Sequence, residues 1–433
     1  MNYLIIGFER SGISATSLLI NKKQNVFVYD SDNKKYQNAQ GNKAFEKVTF
    51  VKKLSAEMLK TIDICVVSPA VRLDSEIMQK IYRMGIKVIG ELELGVLFCR
   101  GELLAITGTN GKTTAVTLLG DIIKGSKTVG NIGEPITSHT KDKKLVAEVS
   151  SFQLVTIDKF RPHIAGITYI DSDHLDYHKT KENYIKAKYN IAKNMGRKDY
   201  LVLNSEDPIS MHLALETKAK VYAFSLHDEC KGAYVKDGKI YFVKRFRPRY
   251  VMDTKDIKLY GEHNLANVLL CITMARLAGV PIKRIRQQVS AFRGLEHRLE
   301  EIANIGNVTY IDDSKATNIS ATLVALKSVK GSTILLAGGS DKGYEYDELV
   351  QSLNVKKLII FGAVKDKLIQ ACKRNNFDNY AVADKLFDAV ELAKSIAKDG
   401  DIVLLSPASA SHDEFKNYIE RGEKFEEYVL YRG

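Results

Sequence analysis

"LLAITGTNGKTTAVTLLGDIIK", running from Leu103 to Lys124, is the stretch that most restricts the fold. An apolar run leads into a turn carrying Gly108 and Gly111, and a helical pattern follows from Lys112. A buried strand, a glycine-bearing loop and a helix in that order belong to parallel α/β architecture. The glycines let backbone N–H groups point at a phosphate, and the helix adds its positive N-terminal end. Lys112 can reach outer phosphates and the Thr113 hydroxyl can ligate Mg²⁺. The common spacing, G-x-x-x-x-G-K-[ST], asks for glycine where Ile106 stands, so this loop departs from that pattern.

The same alternation extends along the chain. "YLIIG", "NVFVYD", "DICVVSP" and "KVIG" read as strands, with helices over about Gly12 to Ile20 and Asp74 to Met84. "ELLAITG", "KLVAEVS", "IAGITYI", "YLVLN" and "KVYAFS" form a second set, closed by the long helical pattern of "GEHNLANVLLCITMARLAGV". After "GLEHRLE" come "VTYID", a helix from Ile319 to Lys327, "TILLAGG", "KLIIFG" and "DIVLLSP". With 433 residues the chain exceeds one ordinary core, and three α/β units with breaks near residues 95 and 298 fit best.

Composition narrows the function. At 45% apolar and 27% charged residues the chain is globular, and no run approaches the ~20 apolar residues that cross a bilayer. The net charge of +12 suits an anionic ligand, but only "VKRFRPRY" (243–250) and "KRIR" (283–286) are dense in cations. Both read as solvated faces, with no aromatic platform beside a basic stripe for nucleic acid. Cys65, Cys99, Cys230, Cys271 and Cys372 lie far apart, against a zinc site or a disulfide framework and in favour of a reducing cytosol. The opening "MNYLIIGFERSG" carries no basic leader, which predicts a cytoplasmic protein.

Further stretches carry chemistry. In "AEVSSFQL" Glu148 ends an apolar strand, where a carboxylate can meet a metal in an α/β crevice. "DSDHLDYH" follows another strand and contains His174, and "YIKAK" places Lys188 on a helix. Taken singly, each has a plain reading as a surface acid, a packed histidine or an exposed lysine. Together with "DDSKATN" (Asp312 to Asn318), these stretches resemble the Mur ligase family over essentially the whole chain.

The resemblance implies an N-terminal Rossmann-like UDP-sugar-binding domain over 1–95 and a central P-loop-type ATP-binding domain over 96–298. A C-terminal Rossmann-like domain over 299–433 would bind the D-amino acid and close on ATP. It implies an ATP-dependent amide ligase of cytoplasmic peptidoglycan precursor synthesis. "EVSSFQL" and "DDSKATN" are most similar to the branch that adds D-glutamate to UDP-N-acetylmuramoyl-L-alanine. The sister that adds the third amino acid usually has histidine where Phe152 stands, and folylpolyglutamate synthetases share the loop without the "DDSKATN" signature. The family's loop is itself a shortened variant, which accounts for Ile106.

Carried over by residue, ATP would meet Gly108, Thr109, Asn110, Gly111, Lys112, Thr113 and Thr114, together with Asn264, Asn267, Arg298, Asp313 and Lys315. Two Mg²⁺ ions would take Thr113, Glu148, His174 and Lys188, the last as a carbamate, because an ammonium cannot bind Mg²⁺. Lys112, His174 and Lys188 would be the catalytic set. Arg10, Ser11, Ser31, Ser68 and Asn131 fall on the UDP-sugar side, and Thr317, Lys342, Ser411 and Tyr418 on D-glutamate. His297 and Arg298 stand at the hinge into the third domain. The implied partners are these two substrates alone, with no nucleic acid, no membrane insertion and a monomeric chain.

Three positions depart from the family. Glu9 stands where glycine is common, so its carboxylate must point away from a diphosphate or pair with a base such as Arg10. Asp30 and Ser31 close a strand where the family contacts uridine, and Asp32 follows where a basic residue can occur. His412 sits where relatives can be apolar, and it either alters the D-amino-acid pocket or has a simple packing or surface role. Other readings are another Mur- or folylpolyglutamate-type ligase, a nucleic-acid-dependent P-loop ATPase, and a non-catalytic ATP-binding scaffold. Retention of Lys112, Glu148, His174 and Lys188 speaks against the scaffold.

Overall fold

The computed structural model describes residues 1–32, 34–35 and 42–431. Apolar runs of four to six residues form strands buried on both faces, as the sequence pattern predicts for parallel sheets. The first sheet contains β1 (Asn2–Ile6), β2 (Asn25–Tyr29), β3 (Val48–Phe50), β4 (Ile64–Val67) and β5 (Lys87–Gly90), all parallel in the order β3-β2-β1-β4-β5. Tyr3 and Ile5 face one apolar cluster, while Leu4 and Ile6 face the other. The strand order reverses between β1 and β4, which brings the loops after Ile6 and Val67 together.

The second sheet has β6 (Glu102–Thr107), β7 (Lys127–Gly130), β8 (Lys144–Glu148), β9 (Ile164–Ile167), β10 (Tyr200–Asn204), β11 (Lys220–Ser225), β12 (Gly232–Lys236), β13 (Lys239–Val243) and β14 (Pro248–Asp253). Its order is β14-β13-β12-β11-β10-β9-β6-β8-β7. β6 pairs in parallel with β8 on one side and β9 on the other, so the loops after these three strands converge. β12, β13 and β14 run antiparallel, and the basic "VKRFRPRY" becomes the turn of the β13–β14 hairpin.

The third sheet is β15-β16-β20-β17-β18-β19, from β15 (Glu300–Ile305), β16 (Val308–Asp312), β17 (Thr333–Gly338), β18 (Lys357–Phe361), β19 (Tyr380–Val382) and β20 (Ile402–Leu405). β15 pairs antiparallel with β16, and the remaining pairs are parallel. Expected helices appear with small shifts at their ends, as Arg10–Asn21, Glu76–Arg83 and Ile319–Ser328.

The chain divides into two compact units, 1–256 with 266–290 and 257–265 with 291–433. The first unit therefore holds two of the three sheets. Buried acids tie them together: Glu93 accepts backbone N–H groups of Asp158, Lys159 and Phe160, and Glu91 accepts the N–H and hydroxyl of Thr137. Among the described residues no helix is long and apolar enough to cross a membrane.

Candidate active site

The opening motif folds as its residues demand. Ile106, at the position where other phosphate loops carry glycine, is fully buried inside β6 and pairs with Glu148 of β8. The loop therefore begins later, at Gly108, whose φ of +145° and closeness to the Thr168 hydroxyl leave no room for a side chain. Gly111, with φ +80°, precedes the first residue of helix Lys112–Ile122 and lies against the Asn267 amide. Thr168 accepts no side chain at Gly108 but donates its hydroxyl to the Asn110 carbonyl at 2.7 Å, bracing the loop.

Around this loop the expected ligands gather. Thr113 Oγ1 donates to Glu148 Oε2 at 2.9 Å, and Asn131 Nδ2 donates to the other carboxylate oxygen at 2.8 Å. Lys112 Nζ donates to the carbonyls of Gly108 and Thr109, at 3.0 and 2.7 Å. Lys188, on helix Lys181–Tyr189, is only 2% exposed, and its Nζ donates to the Gly108 carbonyl at 2.7 Å and lies 3.3 Å from Thr107 Oγ1. Burial first, then repulsion from Lys112, pushes its pKa down to about 7. Thr109 bonds the Tyr184 hydroxyl and the Asp171 N–H, Asn110 donates to Tyr169, and Thr114 sits half-buried on the helix.

His174 adopts φ +51° and is half-exposed, with its ring 4.8 Å from that of Phe152. A residue the sequence reading passed over lies one turn later. His178 is buried, with Nε2 3.0 Å from Ser151 Oγ, and burial followed by the charges of His174 and Lys188 lowers its pKa. Its signal was the i, i+4 spacing of histidines in "HLDYH".

The residues present fit Mg²⁺. The Thr113 hydroxyl and the Glu148 carboxylate are hard oxygen donors already within hydrogen-bond reach of each other, and a carbamate on Lys188 would add two more. Among the described residues the one group of three acidic or imidazole side chains close enough to share a metal is elsewhere, at His297, Glu300 and Asp312. There His297 Nδ1 already bonds Asp312 Oδ2 at 2.7 Å, and Glu300 accepts the His297 N–H.

On the UDP side the picture is divided. Ser68 Oγ donates to the Gly7 carbonyl at 3.0 Å, joining the two loops at the switch of the first sheet. Phe8 N–H donates to buried Asp30 at 2.7 Å, Ser31 is exposed, and Ser11 lies half-buried in the first turn of helix Arg10–Asn21. Arg10 lines a groove with Ser14, Ser17, Thr137 and Ser138, and Ser68 lines a cleft with Glu91, Phe152 and Tyr177. Asn131 sits on Glu148, as described. Glu9 pairs with a base, as one of the two sequence expectations has it, but the base is Lys35 and not Arg10: its carboxylate takes the Lys35 ammonium at 2.6 Å. Lys35, five residues beyond Asp30, reaches back across the loop, a contact that neighbours in sequence do not reveal.

In the second unit Asp313 is buried, accepting the Ser406 hydroxyl at 2.8 Å, and burial raises its pKa to about 7. Arg298 is exposed and its charge acts on Asp313; Asn264 donates to the Tyr260 carbonyl. Lys315 Nζ stands 3.8 Å over the Tyr418 ring. Lys342 is exposed and donates to the Thr317 carbonyl at 3.5 Å, while Ser411 is buried one residue beyond the Ser340–Ala410 bridge. His412 is exposed, which removes the packing reading.

Arg421 organises this region and had not been singled out. Its fully buried guanidinium donates to Ser314 Oγ and O and to the carbonyls of Ser409 and Ala410, at 2.8–3.1 Å. It thereby clamps the "DDSKATN" loop to the "SPASAS" loop. Burial lowers its pKa to about 10, well short of neutralising it at physiological pH.

The geometry thus defines a class: a phosphate loop with oxygen ligands and a buried lysine beside it. Comparison with known proteins agrees. Residues 1–90 match the Mur ligase MurD-like N-terminal domain, 106–275 the Mur ligase middle domain and 297–409 the Mur ligase glutamate ligase domain. The chain is 38% identical to the UDP-N-acetylmuramoylalanine–D-glutamate ligase of Caldanaerobacter subterraneus subsp. tengcongensis, over 98% of this chain and 97% of that one. It is 37% identical to the ligase of the same name from Oenococcus oeni, over 100% and 98%. The fold is shared with the UDP-N-acetylmuramate–alanine ligase of Thermotoga maritima, at TM-score 0.58, 18% identity and coverage of 99% and 98%. It is shared too with the MurF ligase of that organism in complex with ADP, at TM-score 0.55, 14% identity and coverage of 85% and 94%. The chain belongs to the Mur ligase family, and it is an ATP-dependent amide ligase.

Proposed function

We propose that this chain joins D-glutamate to UDP-N-acetylmuramoyl-L-alanine in the cytoplasm, as a monomer, with Mg²⁺ and ATP. The observation that carries the ATP chemistry is Thr113 bonded to Glu148 beside Lys112, at the C-terminal ends of adjacent strands. The choice of substrates is supported by the "EVSSFQL" and "DDSKATN" signatures and by the relatives' names.

A carboxylate is a poor electrophile, because it is anionic and would have to expel oxide. Attack of a carboxylate oxygen of the alanyl group on the γ-phosphorus, with ADP leaving, gives an acyl phosphate. The amine of D-glutamate then adds to the acyl carbon, phosphate leaves, and the nitrogen gives up a proton. No enzyme nucleophile is required, so positioning and charge neutralisation carry the catalysis.

Lys112 and the N–H groups from Gly108 to Thr114 hold the phosphates, with Asn267 packed against the loop. Thr113, Glu148, His174 and Lys188 as a carbamate would hold Mg²⁺, which when bound would neutralise phosphate charge. His178 fixes the Ser151 hydroxyl beside them. Arg10, Ser11, Ser31, Ser68 and Asn131 serve the UDP-sugar. In the second unit Asn264, Arg298, Asp313 and Lys315 serve the nucleotide, and Thr317, Lys342, Ser411 and Tyr418 serve D-glutamate. The domains fall at 1–95, 96–298 and 299–433.

Phosphate release tests this directly. It requires ATP, Mg²⁺, UDP-N-acetylmuramoyl-L-alanine and D-glutamate together. ATP hydrolysis that neither substrate alters, or equal rates with other amino acids, overturns the proposal.

A further inference from the structure

The turn between β13 and β14 is the most exposed apolar point of the described chain. Phe246 is 93% exposed, and Lys244, Arg245, Arg247 and Arg249 surround it in sequence, all exposed. The turn itself carries no acid, and Asp253, opposite Lys239, and Glu229, paired with Lys236, lie at the other end of the hairpin. Tyr222 holds the base of the turn by donating to the Lys244 carbonyl at 3.2 Å, so the ring is presented from an anchored hairpin.

The strand register fixes the end of the sheet at which this turn lies. β13 runs antiparallel to β12, so Val243 reaches the end at which β11 and β10 begin. The phosphate loop follows β6 at the opposite, C-terminal end of the parallel strands. Exposed Arg197, Lys198, Lys218 and Lys220 precede or open β10 and β11 at the same end as the turn, and Leu215, 82% exposed, closes the helix before β11. At that end Glu216 lies 3.4 Å from His212 and Asp199 is buried against Arg161, while Asp228 lies at the other end of β11, its N–H on Ser225.

We infer that this end of the central sheet docks on an anionic lipid surface, with Phe246 entering the headgroup boundary and the arginines meeting lipid phosphates. An aromatic ring between cations is suited to that boundary, where the ring has an apolar side and the charges stay wet. Cations near an anionic bilayer add their attractions, and the face opposite the phosphate loop leaves the catalytic residues open to soluble substrates. Nucleic acid fits less well. Base stacking needs several free rings along a groove, but beside Phe246 one face of the Tyr250 ring already carries Arg286 and the Tyr222 ring carries Lys231.

Flotation of the full chain with vesicles tests the inference. Vesicles of phosphatidylcholine with phosphatidylglycerol should carry the protein, and phosphatidylcholine alone should not. Phe246→Ser should weaken binding about tenfold. Replacing Arg245, Arg247 and Arg249 together by Ala should weaken it about a hundredfold, with ligation in free solution unchanged. Wild-type protein that ignores phosphatidylglycerol, variants that float as well as wild type, or tighter binding to single-stranded RNA than to these vesicles would each overturn it.

Discussion

Lys188 donates from 2.7 Å to the carbonyl of Gly108, the first glycine of the phosphate loop. A buried amine held against a phosphate site by Thr107 and a carbonyl, with Lys112 nearby, is poorly placed as a permanent cation. As a carbamate it offers the oxygens that Mg²⁺ prefers. Lys188→Ala should therefore lose most activity, and formate or acetate should restore part of it. Failure of added carboxylates, with no labile CO₂ adduct in the wild-type mass, would remove the carbamate.

Glu9 is held by Lys35, and that pairing keeps a carboxylate occupied beside the Gly7 loop. Lys35→Ala should raise KM for the UDP-sugar severalfold and leave KM for ATP unchanged, more clearly at low salt. Adding Glu9→Gln should recover most of the loss. If the double variant is no better than the single, the carboxylate does not matter to this substrate.

Much of the fold was legible because parallel strands leave a strong trace. Runs such as "LLAIT" and "TILLAG" are apolar on both faces, and glycines punctuate their ends. Glu148 and Thr113 could be linked by their strand and loop positions. Lys188 could not be known as buried: its helix also carries Lys181 and Lys186 and shows no apolar stripe. Arg421 was hidden for a related reason, since its partners are carbonyls of remote loops and carbonyls have no sequence signature. The "VKRFRPRY" run looked like a solvated face, and only the antiparallel pairing of β13 with β14 made it a turn.

Asp313 gives the second unit a pH dependence of known sign. Burial lifts its carboxyl from 3.8 to about 7, so between these values the folded chain binds the extra proton. That contribution is fully present below pH 3.8 and is lost as pH rises through about 7. Unfolding free energy should fall between pH 5 and 8 by on the order of 1–3 kcal/mol, and Asp313→Asn should flatten the fall. His297, raised by its bond to Asp312, has the same sign and leaves a residual slope. An unchanged profile in Asp313→Asn would show that the buried carboxyl is not the titrating group.

Arg421 should be worth more to the second unit than any surface charge. Arg421→Ala takes the guanidinium donor from the carbonyls of Ser314 and Ser409, leaves Ala410 only the Ser340 N–H, and opens a cavity. The cost should be roughly 3 kcal/mol or more in chemical denaturation. Arg421→Lys should recover only part, because one ammonium cannot match the guanidinium fork. Near-wild-type stability of the alanine variant would contradict the clamp.

The acceptor side is tested most sharply at Lys342. Its ammonium is exposed beside the Thr317 carbonyl, on a loop that the Ser340–Ala410 bridge sets next to Ser411. A cation there can meet one carboxylate of D-glutamate, and a charge-assisted hydrogen bond is worth roughly 1.5–3 kcal/mol. Lys342→Ala should accordingly raise KM for D-glutamate by about ten- to a hundredfold and leave KM for ATP nearly unchanged. Lys342→Arg should keep more of the affinity, since the charge survives while its geometry changes. Small and equal effects on both substrates would make Lys342 an ordinary surface lysine, and recognition of the second carboxylate would then have to rest on buried Ser411 and its neighbours.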